Sequence, residues 1–387
     1  MAGRRAKWRD LNSLRTRGPL IYVRAFAFHE MPESRLVCED PLFRRLEHDL
    51  RHRLFWDTLG DDSIFEPWVT VPARFAAHGW GVETAFRRTD EPGGSFKEDC
   101  PLREDADLAK LRAPVHAIDE VGTAEDVHRA QEAIGDLITI HRGRGCWYTM
   151  WAGDLSTELG HLRGIEHFMM DIHDRPAWLH TLMAFLRDGV LNAQTQAEAA
   201  GDWGLTDHQN QSMPYSHELP DPAANVRGVP RKQLWGYAAA QEFALVSPEH
   251  HEEFLLQYQW PILEPYGLVA YGCCEDLTRK IGMLRRRIPN LRRIAVSPFA
   301  DVASCAEQIG GDYVVSYRPS PADMVSYSWD AQRVRRILNR DFAVLARNGC
   351  TFDITLKDVE TVGRDPERVR NWVRLTRQCA AERCDTR

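Results

Sequence analysis

The chain has 387 residues and a formal net charge of −7, which leaves room for one large α/β core and argues against a general nucleic-acid binder, since acidic residues outnumber basic ones and no basic stripe dominates. No run approaches ~18 consecutive apolar residues, and the charged N-terminus lacks the apolar stretch of a signal peptide, so a cytoplasmic protein without membrane contact is expected. Nine cysteines scattered through a chain of this size make no disulfide framework and read as reduced thiols.

In chain order, β-branched and aromatic runs alternate with helical stretches, the pattern of successive βα units. Strands are predicted at residues 20–26, 64–71, 136–141, 203–209, 268–274, 291–297, 312–317 and 351–357, with a helix over 177–200. This strand count, with helices between, points to a closed (α/β)8 TIM barrel. One such domain is expected over residues 1–387, with an N-terminal extension at 1–18 and loop insertions at 72–119 and 212–232. The first insertion holds the turn Pro92-Gly93-Gly94 and the second is rich in proline and polar residues; long loops of this kind commonly form lids or binding segments. Ser247-Pro248-Glu249 and Asp365-Pro366-Glu367 each read as an N-cap, a proline at the first helical position and an acid behind it.

In a barrel the loops after the strands converge on one face, so residues at strand ends meet in space. The rule gathers Arg24, Glu66, His141, His208, Asn210, Tyr271, Cys273, Cys274, Glu275, Ser297, Arg318, Lys357 and Asp358. Within this set Tyr271-Gly272-Cys273-Cys274-Glu275 is the most informative stretch, because two thiols and a carboxylate at a strand end suit Zn²⁺ or a nucleophile. The plainer alternative is that one cysteine belongs to the core, since neighbouring strand residues face opposite ways. His208 and Asn210 share a face, where a histidine serves as a ligand or simply as a satisfied buried group. Glu242, ahead of the capped helix, reads as an extra ligand or base, or as an exposed carboxylate. Lys357 is placed to hold an anion and Asp358 a metal, or the two form a surface pair. Tryptophans near loops, Trp235 among them, suit an aromatic-lined pocket, although aromatic residues mostly fill cores. There is no P-loop, G-x-G-x-x-G after a strand, H-E-x-x-H or G-x-S-x-G, so nucleotide-dependent, zincin and serine-hydrolase chemistry lack support.

Four stretches in order carry a resemblance: Trp235 through Gln241-Glu242 to Ser247-Pro248-Glu249, then Tyr271 to Glu275, then residues 291–301, then Asp353-Ile354-Thr355-Leu356-Lys357-Asp358. Together, over most of the chain from Leu20 onward, they resemble the uroporphyrinogen decarboxylase superfamily, which includes zinc-dependent methyltransferases that serve corrinoid proteins. The resemblance implies an (α/β)8 barrel. Decarboxylase members carry an arginine-rich segment after the first strand, where this chain has a single arginine, Arg24, so porphyrinogen decarboxylation is not implied. Methyltransferase members bind zinc through His-x-Cys after the fifth strand and a cysteine after the eighth. The matching positions are Tyr271, Cys273 and Asp358 or its neighbour, and only Cys273 keeps the ligand type.

The implied function is methyl transfer between a small methylated substrate and a separate corrinoid protein. Zn²⁺ would sit on Cys273, Cys274, Glu242 and Asp358, with His208, Tyr271, Glu275 and Lys357 catalytic and Arg24, Glu66, Asn210, Trp235 and Arg318 binding substrate. Superfamily members often pair, so a homodimer is expected. Two other readings stand beside it: a metal-independent decarboxylase or lyase, with Arg24, Arg318 and Lys357 holding carboxylates and His208 or Asp358 moving protons, and a non-catalytic binding relative.

Overall fold

Apolar runs bounded by turn residues become strands β1 (Leu20–Val23), β2 (Trp68–Pro72), β3 (Ala85–Arg88), β4 (Phe96–Asp99), β5 (Thr139–Gly143), β6 (Trp235–Ala238), β7 (Leu268–Tyr271), β8 (Leu291–Val296), β9 (Val314–Tyr317) and β10 (Thr351–Leu356). The computed structural model describes residues 1–24, 26–89 and 96–384, so the Pro92-Gly93-Gly94 turn lies outside the described residues. One six-stranded sheet runs β1-β10-β9-β8-β7-β6, a second pairs β2 with β5, and β3 with β4 forms a hairpin within the first insertion. Every pairing except the hairpin is parallel. Strands β1, β6, β7, β9 and β10 are buried along their whole length, as expected where helices cover a parallel sheet.

The predicted closed barrel is not formed among the described residues. Its ladder stops between β1 and β2 and again between β5 and β6. At the first break, side chains take the place of a neighbouring strand. Ile21 N–H donates to Asp62 Oδ2 at 2.9 Å and Val23 N–H to Asp61 Oδ2 at 2.7 Å, while Asp62 N–H returns a bond to Ile21 O at 2.8 Å. At the second break, Trp235 N–H donates to His208 Nδ1 at 3.2 Å and Gln209 N–H donates to Trp235 O at 3.1 Å. Short polar side chains that bond to nearby backbone compete with a regular ladder.

That competition explains why the strand predicted at 203–209 is absent. Gly204 N–H bonds to Asp207 Oδ2 at 2.7 Å, and the Thr206 hydroxyl pairs with His141 Nε2 at 2.7 Å, leaving only an isolated bridge from Gly204 to Arg227. The strand that does occupy this part of the fold is β6, whose Gly236 and Ala238 give it little β-branched signal. Gly236 is needed there, because a Cβ would come within 2.7 Å of the Tyr266 ring.

The helix predicted at 177–200 spans Pro176–Ala199. The Ser247 side chain accepts from His250 N–H, and Asp365 Oδ1 accepts from Glu367 N–H at 3.0 Å, as their N-cap patterns indicate. The first helix, Ala2–Asn12, buries Trp8, Leu11 and Asn12 against the N-terminal edge of the six-stranded sheet. There Asn12 Oδ1 accepts from Arg293 Nη1 at 2.7 Å, and the same guanidinium pairs with Asp353, so a buried ion pair joins β8 to β10. No disulfide joins the described cysteines. No helix is long and apolar enough to cross a membrane among the described residues.

Candidate active site

Strand β7 ends at Tyr271, and the next residue, Gly272, turns the chain at once with a φ of +99°. A side chain there would come within 2.7 Å of Leu277 and 3.1 Å of Ala295, so the tight turn needs glycine. Up to that point the strand alternates. Leu268 and Ala270 share a cluster with Trp235 and Tyr237, whereas Val269 and Tyr271 face the helices. The turn breaks the alternation and brings Cys273 onto the face that carries Tyr237, rather than the helical side occupied by Tyr271.

Two buried side chains hold the Cys273 backbone. Glu275 accepts from Cys273 N–H at 2.7 Å and from Ala240 N–H at 2.8 Å, tying the loop after β7 to the loop after β6. Arg318, just past β9, donates from Nη1 to Cys273 O at 2.8 Å. Its residue is 3% exposed, and its Nε is buried without a hydrogen-bond partner among the described residues.

The chemistry lies one atom further out. Lys357, just past β10, donates from Nζ to Cys273 Sγ at 2.7 Å and to Cys274 Sγ at 3.2 Å, and its ammonium lies 3.1 Å from Asp358 Oδ2. The two sulfurs are 3.5 Å apart, and Cys274 Sγ also lies 3.5 Å from Asp358 Oδ2. The hydrogen bond from Cys274, with Arg318 and Lys357 close by, holds the Cys273 thiol well below its ordinary pKa despite burial. Cys274 moves the opposite way, because its proton bonds to Cys273 and it is itself partly buried. Cys273 is therefore the sulfur that favours the anion and Cys274 the one that favours keeping its proton. Burial holds Glu275 above the usual carboxylate range. A hydrogen-bonded chain leads away from the pair: Arg24 Nη1 donates to Gln211 Oε1 at 2.7 Å, Gln211 donates to the Tyr237 hydroxyl, and that hydroxyl reaches Gly272 O at 3.5 Å.

Of the predicted residues, Cys273, Cys274, Asp358, Lys357 and Arg318 gather here, with Glu275 directly behind them and Arg24 at the end of the polar chain. Others lie elsewhere. Tyr271 donates to Gln259 Oε1 at 2.7 Å and lies 2.9 Å from His251 Nε2, inside the helical shell. Glu66 precedes β2 and pairs with Arg5 at 2.6 Å and with Tyr215, beside the N-terminal helix. His208 caps β6, and burial pushes its pKa down to about 4, so it is a neutral acceptor. Asn210 closes a local turn with Ser212 and Met213. Trp235 is fully buried and donates its indole N–H to Pro214 O at 2.8 Å. Glu242 is taken by the Ser156 hydroxyl at 2.5 Å. The sequence reading missed Tyr237 and Gln211. Tyr237 carried a usable signal, since it lies two residues beyond Trp235 on a strand that had not been assigned.

The donors do not fit a resident zinc ion. Cys273, Cys274 and Asp358 converge, but the Lys357 ammonium lies among them where a cation would sit, and Glu242 and Glu275 are engaged by other partners. No group of three or more His, Cys, Asp and Glu side chains is arranged to hold a metal among the described residues.

No family model matches the sequence, and no curated protein matches it. Among solved structures, a methyltransferase from Methanosarcina mazei is similar, with a TM-score of 0.54 over 97% of this chain and 98% of that one, at 11% identity. At that identity the likeness shows a shared α/β fold.

Proposed function

We propose that this chain is a methyltransferase or demethylase in which the Cys273 thiolate takes a methyl group from a small methylated substrate, with a separate corrinoid protein as counterpart in the transfer. The observation that carries the reading is the Cys273–Lys357 ion pair, with its Nζ–Sγ distance of 2.7 Å, at the C-terminal edge of a parallel sheet. That edge is where α/β proteins place their chemistry. The fold shared with a protein named as a methyltransferase supports it. The eight parallel strands, split into two arcs, are read as an interrupted (α/β)8 barrel of the uroporphyrinogen decarboxylase type.

The step this chain supplies is a displacement at carbon. A bond forms between Cys273 Sγ and the methyl carbon while the bond from methyl to its heteroatom breaks, and the electron pair leaves with the heteroatom. Sulfur then becomes a neutral thioether and no longer stabilises the ammonium beside it. Lys357 therefore gives a proton to the departing group. Attack by the acceptor on the same methyl carbon breaks the C–S bond and restores the thiolate, and Lys357 takes back a proton from solvent. Glu275 and Arg318 act by fixing the Cys273 backbone. No step is routed through a metal.

A second reading has its own observation. Among the described residues the buried Arg318 Nε has no partner and Arg24 Nη1 donates to an amide oxygen, which suits a carboxylated substrate and a metal-independent lyase. One experiment separates the two. Incubation with methoxyarenes, methylamines and methyl sulfides should add one methyl group to Cys273, read by mass spectrometry of the tryptic peptide 233–279, and none to Cys273→Ser. No methylation by any donor, with release of carbon dioxide from carboxylated probes that survives Cys273→Ser, gives the lyase instead.

A further inference from the structure

A single displacement needs one sulfur, yet this site holds two. Adjacent residues on an extended strand face opposite ways. The turn at Gly272 instead brings both sulfurs to one ammonium, at 2.7 and 3.2 Å, and to 3.5 Å from each other. The two differ in access: the Cys273 residue is 2% exposed, while Cys274 is half-buried. An ion-paired sulfur beside a protonated one is the arrangement of an attacking and a resolving thiol.

We propose that Cys273 and Cys274 are a peroxide-responsive vicinal dithiol, closing to a disulfide between neighbouring residues. In the first step Cys273 Sγ attacks one oxygen of hydrogen peroxide. The S–O bond forms, the O–O bond breaks, and the departing hydroxide takes a proton from Lys357 to become water. Cys273 is then a sulfenic acid. In the second step Cys274 Sγ attacks Cys273 Sγ; the S–S bond forms, the S–O bond breaks, and the hydroxide leaves with the Cys274 proton as a second water. Two thiol groups are oxidised, one peroxide is reduced, and Lys357 recovers its proton from solvent.

Neighbouring Cα atoms lie ~3.8 Å apart across a trans peptide, inside the ~4.4 Å lower bound usual for disulfides. Such a ring is held under constraint and opens readily to a dithiol reductant, the behaviour of a regulatory disulfide rather than a structural one. While it is closed the site has no thiolate, so group transfer stops. That consequence rests on the methyl-transfer reading; the disulfide itself does not.

The test uses the full chain exposed to hydrogen peroxide, blocked with iodoacetamide and digested with trypsin. Peptide 233–279 holds Cys273 and Cys274 and no other cysteine. It should lose two hydrogens, refuse iodoacetamide, and accept two alkyl groups after dithiothreitol. Cys274→Ser should stop at a sulfenic acid on Cys273 that dimedone captures, and Cys273→Ser should give neither product. Two alkylated thiols after peroxide, or oxidation of Cys274 ahead of Cys273, would overturn the proposal. A chain that closes the ring but takes methyl from no donor loses the methyl-transfer reading and keeps the dithiol. A chain methylated on Cys273 whose thiols both alkylate after peroxide does the reverse.

Discussion

Lys357 is what separates this site from the zinc centre its sequence implies. A cation at the convergence of Cys273, Cys274 and Asp358 is required in either case, and here it is covalently part of the chain. A buried ion pair adds little net stability, but losing one partner strands the other. A thiolate has an escape that an arginine lacks, because it can take up a proton. Lys357→Met should therefore raise the Cys273 pKa while changing the unfolding midpoint little. With the thiol pKa held low, alkylation of wild-type Cys273 should stay flat as pH falls through neutrality. In Lys357→Met the rate should drop roughly tenfold for each pH unit below the raised pKa. The measurement is the iodoacetamide rate on peptide 233–279 against pH, and coincident profiles would remove Lys357 from the site.

Between elements, what was legible in the sequence was apolar periodicity, and what was not was side chains doing the work of strands. β7 and β10 could be found from their β-branched runs, and with them Cys273 and Lys357 at their ends. β6 was hidden by Gly236 and Ala238, so Tyr237 was missed. The 203–209 segment looked like a strand because of Trp203 and Leu205, yet Thr206, Asp207 and His208 spend their polar atoms locally. Glu66 was misplaced because it lies near the start of the segment predicted at 64–71, not at its end, and β2 itself begins only at Trp68, which leaves Glu66 before the strand. The open edge of β1 depends on the same device, since Asp62 fills the place of a neighbouring strand. Asp62→Ala leaves the Ile21 N–H without its acceptor and removes a partner of Arg377, whose guanidinium lies 3.2 Å away. The expected loss is about 1–3 kcal/mol, read as a lower urea midpoint with unchanged slope. A midpoint equal to wild type would mean that water replaces the carboxylate at this edge.

Across the whole molecule, the two ends of the parallel sheet divide the labour. The N-terminal edge is a packed floor. There Trp8 is fully buried, donates its indole N–H to Asp62 O at 2.7 Å, and sits edge-on to Tyr22 with ring centroids 6.1 Å apart. The C-terminal edge carries Cys273, Lys357 and Arg318, each placed just past a strand end. If the strands are rigid spacers between the two, damage to the floor should cost stability without reaching the thiolate. Trp8→Ala removes a large buried side chain and one indole hydrogen bond, and should destabilise the fold by about 3–5 kcal/mol. The alkylation profile of Cys273 should remain that of the wild type at temperatures where the variant is still folded. The outcome has a sharp alternative, because Asn12 on the same helix bonds to Arg293, Arg293 pairs with Asp353, and Thr355 donates to Asp353 Oδ1 at 2.7 Å on the strand that ends at Lys357. Were that buried chain to transmit the loss of the helix, the Cys273 profile would move to higher pH along with the drop in stability, and the two edges would have to be treated as one coupled unit.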